Sequence, residues 1–195
     1  MRTGAGDLAK GRVAANKWSK ILDASKRLAA APLFVDDSSD MGILEVRAKA
    51  RRLHAQLYEQ HGGLGLIIVD YLQLMRADGR TENRVEQVGQ MSRGLKVLAR
   101  ELNVPVIALS QLSRGVESRT DKRPMLSDLR ESGQIEQDAD LVMFIYRDEY
   151  YNGEESDSQG LAELHLAKHR NGPTDVVKLS FLRRFAKFSD LAPAA

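Results

Sequence analysis

Apolar residues recur every three or four positions in three stretches of the chain and gather into short unbroken runs in several others, a pattern that predicts helices alternating with strands. The first periodic stretch, 16–31, sets Trp18, Ile21, Leu22 and Leu28 among Ala and Lys and stops at Pro32. In the second, 43–60, Leu44, Val46, Ala50, Leu53 and Leu57 alternate with Arg47, Lys49, Arg51 and Arg52. That spacing predicts an amphipathic helix with a basic face, ending near Gly62-Gly63. The third, 82–103, carries Val85, Val88, Met91, Leu95, Leu98 and Leu102 and is the clearest helix of the chain.

The apolar runs predict the strands. Leu33-Phe34-Val35, closed by Asp36-Asp37, reads as a short buried strand with an acidic carboxyl end. Leu66-Ile67-Ile68-Val69 ends in Asp70 and has the unbroken character of a central parallel strand buried on both faces; 104–110 is the next such strand. Between 111 and 137 lies a polar stretch with no sustained period, and a loop that long in a compact domain is functional or mobile. Further strands are predicted at 141–146, 161–168 and 176–182, with an exposed acidic loop at 151–160. The last two strands flank Asn171-Gly172-Pro173, a hairpin signal. The expected fold class is α/β: a mostly parallel sheet flanked by helices, with a C-terminal antiparallel hairpin.

Composition narrows the function classes. A chain of 195 residues suits one domain, given the usual span of roughly 100–200. With no cysteine, disulfides, thiolate nucleophiles and cysteine-ligated metal sites are excluded. The apolar runs fall far short of the roughly 20 residues that cross a bilayer, and no signal-peptide core opens the sequence. The expectation is a soluble, cytoplasmic chain with no membrane partner. Its 29 basic and 27 acidic residues nearly cancel, so any nucleic-acid contact must come from local clusters.

Four features carry candidate chemistry. Asp70 closes an apolar strand, on the edge where open α/β sheets bind ligands and where an aspartate can hold Mg²⁺ against nucleotide phosphates. It reads equally as a capping residue at a turn. Ser110-Gln111 closes the next strand on the same edge. Glutamine is no general base, but it can orient water or sense a γ-phosphate by hydrogen bonding; it can also be an ordinary polar exit from a strand. The stretch 114–140 holds Arg114, Arg119, Lys122, Arg123 and Arg130 with Gly115 and Gly133, suited to phosphates, although Glu117, Asp121, Asp128, Glu131, Glu136 and Asp138 offset the charge as on a solvated loop. It has no aromatic residue, so any single-stranded DNA contact there is to the backbone and not sequence-specific. Lys168 and Arg170 sit two apart at the hairpin end, from which both can reach outward to stabilise charge on a phosphate, or form a plain basic turn.

Four words occur in order: Leu66-Ile67-Ile68-Val69-Asp70-Tyr71-Leu72-Gln73-Leu74-Met75, Ala108-Leu109-Ser110-Gln111-Leu112-Ser113-Arg114, a third running from Ser127-Asp128-Leu129-Arg130-Glu131-Ser132-Gly133 to Asp140, and Lys168-His169-Arg170-Asn171-Gly172-Pro173. Together they resemble the DnaB-type replicative DNA helicases, from about Trp18 to Leu191. The resemblance implies a RecA-like fold and a subunit that couples ATP hydrolysis to 5′-to-3′ translocation on single-stranded DNA. It implies that Asp70 binds the Mg²⁺ of the cofactor ATP, that Gln111 links nucleotide state to the DNA loops, and that Arg130, Glu131 and Gly133 follow the DNA backbone. Lys168 and Arg170 would enter a neighbouring subunit's ATP site within a hexameric ring, with primase and a helicase loader as partners of the intact protein.

The same resemblance places a Gly-x-x-x-x-Gly-Lys-Ser/Thr loop and a catalytic glutamate upstream of this chain. The 195 residues contain neither, and the segment from Gly4 to Gly11 lacks the second glycine and the terminal hydroxyl, with no buried strand before it. The expectation is an N-terminally truncated domain that hydrolyses ATP poorly by itself, with 1–15 flexible, 16–191 the partial motor domain and 192–195 a tail. A second reading is a non-catalytic remnant that joins helicase rings or binds DNA. A RecA-like recombinase is disfavoured by the helicase-type hairpin word.

Overall fold

The computed structural model describes residues 6, 10–11, 13–76 and 83–191, with the backbone alone at 130–132. The chain divides into two compact units, one made of 38–144 and 166–175 and the other of the described residues of 1–37, 145–165 and 176–195.

In the first unit the two long periodic stretches form helices α2 (Ile43–His61) and α3 (Arg84–Leu102). Their ends follow local chemistry. Asn83 caps α3 by accepting the Val85 N–H at 3.0 Å, and Asn103 ends it in the left-handed conformation at φ 54°. Gly62 ends α2 at φ 72°, where its missing Cβ makes the left-handed turn inexpensive. Ile43, Ala50, Leu72, Met75, Met91, Leu95 and Leu98 form one core cluster, with Leu98 fully buried at 0% exposure. The helices meet closely at Gly94, where a Cβ would lie 2.2 Å from Ile43 Cγ1.

Strands β1 (Ile67–Val69) and β2 (Val106–Ala108) pair in parallel, Ile67 with Val106 and Val69 with Ala108. Ile67, Val69 and Val106 pack on the helical core. The alternate residue Ile68 is 60% exposed, so burial on both faces is corrected. Successive side chains of a strand point to opposite faces, and among the described residues only one face is covered.

The polar stretch after β2 is not a structureless loop. It contains 3₁₀ turns at Arg114–Ser118 and Leu126–Ser132 and the short helix α4 (Gly133–Asp138). A few apolar residues suffice to anchor it. Leu129, Val142 and Phe144 form a second cluster, joined by Leu112, Leu126, Ala139 and Ala167, and Ile135 packs against both clusters.

Strands β3 (Leu141–Tyr146), β4 (Leu161–His169), β5 (Asp175–Leu182) and β6 (Lys187–Asp190) form a four-stranded sheet in that order. The β5–β6 pairing is antiparallel, with Phe181 opposite Phe188; β6 had no clear apolar signal in the sequence.

In the second unit helix α1 (Trp18–Ala30) forms as predicted, but Trp18, Leu22 and Leu28 remain exposed. Leu33-Phe34-Val35 is a correction: the segment is unpaired coil, with Val35 82% exposed. A strand needs a ladder partner, and no described strand pairs with it. The acidic loop is partly ordered: α5 (Asp148–Asn152) and a 3₁₀ turn at Gly153–Glu155 occupy it. Its clip is Glu149, whose buried carboxylate accepts the Gly160 N–H at 2.8 Å and pairs with Arg147. The Arg147 guanidinium lies 3.8 Å from the Phe181 ring centroid. The Gly160 N–H, then Arg147, hold the Glu149 carboxyl below the ordinary glutamate range. A depressed carboxyl stabilises the fold above the unfolded-state value of about 4.3, and that contribution is lost as pH falls through the lower folded-state value. Glu149→Gln is therefore expected to cost about 1.5–3 kcal/mol at pH 7, the range of hydrogen bonds to a charged group. Denaturation midpoints of variant and parent should converge as the parent's carboxyl protonates. A gap of constant size from pH 7 into strong acid would contradict this account.

Candidate functional site

Parallel pairing brings the ends of β1 and β2 to one edge. The Leu109 N–H donates to Val69 O at 2.9 Å and the Leu72 N–H to Leu109 O at 3.0 Å, so the chain leaving each strand is still paired. Asp70 follows β1 directly and is exposed there. Among the described residues its carboxylate forms no ion pair.

Gln111 lies beyond β2, and its place is set by a residue that sequence reasoning did not single out. Gln73 Oε1 accepts the Gln111 N–H at 3.1 Å, and Gln73 Nε2 donates to Gln111 O at 3.4 Å and to Ser110 Oγ at 3.0 Å. A side-chain amide thus pairs with a peptide as a neighbouring strand would. Arg84, in the first turn of α3, donates to Gln73 O. The available signal was a lone polar residue inside the apolar word Leu72-Gln73-Leu74-Met75.

The basic stretch is organised by Asp128. Its carboxylate accepts from Arg119 at 2.8 Å and from the Met125 N–H at 2.7 Å, while its carbonyl accepts the Ser113 N–H at 3.0 Å. Arg119 is therefore turned into the loop, because Asp128 is buried and needs a partner. Arg114 remains exposed. The side chains of Arg130 and Glu131 lie outside the described residues, and their backbone belongs to the 126–132 turn. Gly133 opens α4 at φ −51°, and a Cβ there would meet nothing within 4 Å. Neither packing nor backbone conformation requires glycine at that point.

Lys168 and Arg170 do not extend outward from the hairpin end. Both fold onto the carboxyl end of α4, where backbone carbonyls lack helical partners and attract cations. Lys168 donates to Glu136 O, and Arg170 Nη2 to Gln137 O at 3.3 Å. Arg170 Nη1 pairs with Asp140 Oδ1 at 2.9 Å, and the Arg170 N–H donates to Asp140 O at 2.8 Å. Lys96 of α3 pairs with the other Asp140 oxygen. Its hydrogen bond first, then its charge and those of Arg170 and Lys168, hold the Asp140 carboxyl below the ordinary aspartate range.

No group of three or more His, Cys, Asp or Glu able to hold a metal occurs among the described residues. Asp70 offers a carboxylate at that strand edge, a hard oxygen donor of the kind that could hold Mg²⁺. No helix of the described residues is long and apolar enough to cross a membrane.

The model of the family described as DnaB-like helicase C terminal domain matches residues 2–190. The chain is 50% identical over 186 residues to the replicative DNA helicase DnaB of Geobacillus stearothermophilus, covering 95% of this chain and 40% of that protein. It is 56% identical over 176 residues to DnaB of Pasteurella multocida, covering 90% of this chain and 37% of that one. Among solved structures, one described as an ATPase domain superposes with a TM-score of 0.89 at 41% identity, over 97% of this chain and 66% of that one. A DnaB-like replicative helicase, described with its interactions with primase, gives the same TM-score and identity over 97% of this chain and 45% of that one.

Proposed function

Because the chain belongs to the DnaB-like helicase C-terminal domain family and has its RecA-like α/β fold, we propose that it is motor-domain sequence of a replicative helicase subunit, moving 5′ to 3′ on single-stranded DNA by ATP hydrolysis. It spans about 40% of the length of the curated relatives it matches, and the activity proposed is that of the whole subunit. In this reading Asp70 holds Mg²⁺ and Gln111 senses the nucleotide. The 126–132 turn, with Arg130, Glu131 and Gly133, follows the DNA backbone. Lys168 and Arg170 serve the ATP site of a neighbour in a hexameric ring, and primase and a loader act on the intact assembly. Bound Mg²⁺ would offset charge on the nucleotide phosphates; the protein groups orient that charge and move with it.

One observation supports the reading above the rest. Leu112, next to Gln111, and Ala167, next to Lys168, pack in the same cluster as Leu126 and Leu129 of the candidate DNA turn. Close-packed side chains transmit small displacements, so the nucleotide edge, the DNA turn and the basic hairpin share one core.

The test is a hybrid in which this chain replaces the matching segment of the Geobacillus stearothermophilus relative. An assembled hybrid should unwind forked DNA and hydrolyse ATP faster with single-stranded DNA. An assembled hybrid with no DNA-stimulated hydrolysis would refute the proposal. These 195 residues by themselves hold no Gly-x-x-x-x-Gly-Lys-Ser/Thr word to cradle nucleotide phosphates, so the segment alone is expected to hydrolyse ATP no faster than its Asp70→Ala variant.

A further inference from the structure

Asp140 lies between α4 and β3, and two cations from distant parts of the sequence share its carboxylate. Lys96 of α3 takes Oδ2, and Arg170 of the β4–β5 turn takes Oδ1 at 2.9 Å. The Asp140 carbonyl also accepts the Arg170 N–H at 2.8 Å, so main chain and side chain of Arg170 are referred to one residue. Gln137 O, 3.3 Å from Nη2, supplies a second acceptor for the guanidinium. A planar guanidinium presents its donors in a rigid fork, so two acceptors define its plane as well as its place.

The Arg170–Asp140 pair is half in water, with side-chain exposures of 49% and 51%. Pairs so exposed contribute little to folding stability. The pair does restrict a long, flexible side chain. Lys96 pairs with the other oxygen of the same carboxylate.

We infer that Asp140 is a positioning residue for the Arg170 guanidinium, with Lys96 holding the carboxylate that positions it. The inference rests on the proposed role of Arg170 at a neighbouring subunit's nucleotide. Glu136 and Gln137 are at the end of α4, which continues from the 126–132 turn, and Asp140 follows it by two residues. The acceptors of Lys168 and Arg170 therefore sit on the segment that leads directly out of that turn.

Two experiments test this. In the 195-residue chain, the Nη–Hη NMR signal of Arg170, whose Nη1 and Nη2 make these contacts, should be dispersed and protected. It should collapse toward the free-arginine position in Asp140→Asn, survive in Asp140→Glu and broaden in Lys96→Met. In the hybrid helicase, Asp140→Asn should lower kcat for DNA-stimulated ATP hydrolysis about tenfold to a hundredfold, the scale of a misplaced reacting group, with KM for ATP unchanged. Asp140→Glu should recover part of the loss, and Asp140→Asn should add nothing to Arg170→Ala, since both act through one guanidinium. If Arg170→Ala alone leaves turnover intact, the role of Arg170 is wrong and the inference falls with it. If Arg170→Ala is inactive while Asp140→Asn keeps full kcat, raises only KM or leaves the Arg170 signal unmoved, the role of Asp140 is overturned and that of Arg170 stands.

Discussion

Arg170→Ala in the hybrid helicase is expected to lower DNA-stimulated ATP hydrolysis by about a thousandfold or more while nucleotide affinity changes little. The magnitude is that of an arginine supplied to a phosphoryl-transfer site, which stabilises charge present only in the transition state. The fold should not suffer, because the guanidinium is half exposed and its partners are a surface carboxylate and a helix-end carbonyl. Steady-state hydrolysis with single-stranded DNA and equilibrium binding of a non-hydrolysable nucleotide separate the two quantities. Rings mixed from Arg170→Ala and Asp70→Ala subunits add a geometric check. If Arg170 serves the neighbour, some interfaces in the mixture regain an intact Asp70 facing an intact Arg170, and activity partly returns. A loss of nucleotide binding in the single variant, with no recovery on mixing, would assign Arg170 to the pocket of its own subunit.

Asp128→Ala is expected to destabilise the chain by about 2–4 kcal/mol, somewhat below the range for a fully buried ion pair. The Asp128 side chain is 8% exposed and that of Arg119 27%, which sets the discount. Removing the carboxylate leaves the Met125 N–H without its acceptor and Arg119 without its counter-charge. Arg119 Nε is already buried with no hydrogen-bond partner, so without Asp128 the guanidinium keeps only its bond to Arg123 O at 2.8 Å. Denaturant unfolding gives the energy, and hydrogen exchange should show lost protection across 113–132, the span closed by the Ser113 to Asp128 bond. The double variant Asp128→Ala with Arg119→Met should recover much of the stability, since it removes the stranded charge with its partner. A double variant as unstable as the single one would mean that the loop depends on the bond from the Met125 N–H to the carboxylate rather than on the ion pair.

Long-period patterns proved the most legible. Helices α2 and α3 follow their apolar spacing almost to the residue, because a stripe sustained over 19 residues has only one way to be buried. Leu141–Tyr146 forms a strand over its whole apolar run. Short apolar words were less reliable. Leu33-Phe34-Val35 has the composition of a strand but no ladder partner among the described residues, and composition cannot supply one. Polar residues misled in the opposite direction. The 111–137 stretch looks unstructured because its order depends on five spaced apolar residues, Leu112, Val116, Leu126, Leu129 and Ile135, and on the buried carboxylate of Asp128.

The sequence by itself determined the three long helices, the strand edge that carries Asp70 and Gln111, and, through four ordered words, the family. These are properties of local spacing and of residue identity, and both are written linearly. Only the tertiary structure decided how the candidate groups are held. Gln73 clamps Gln111 across 38 positions, Asp140 joins Lys96 to Arg170, and the two hairpin cations rest on the end of α4 instead of extending outward. Such contacts depend on which helix end meets which turn after the cores have packed. Hydrogen bonds between residues far apart in the chain leave no periodicity in the sequence from which they could be read.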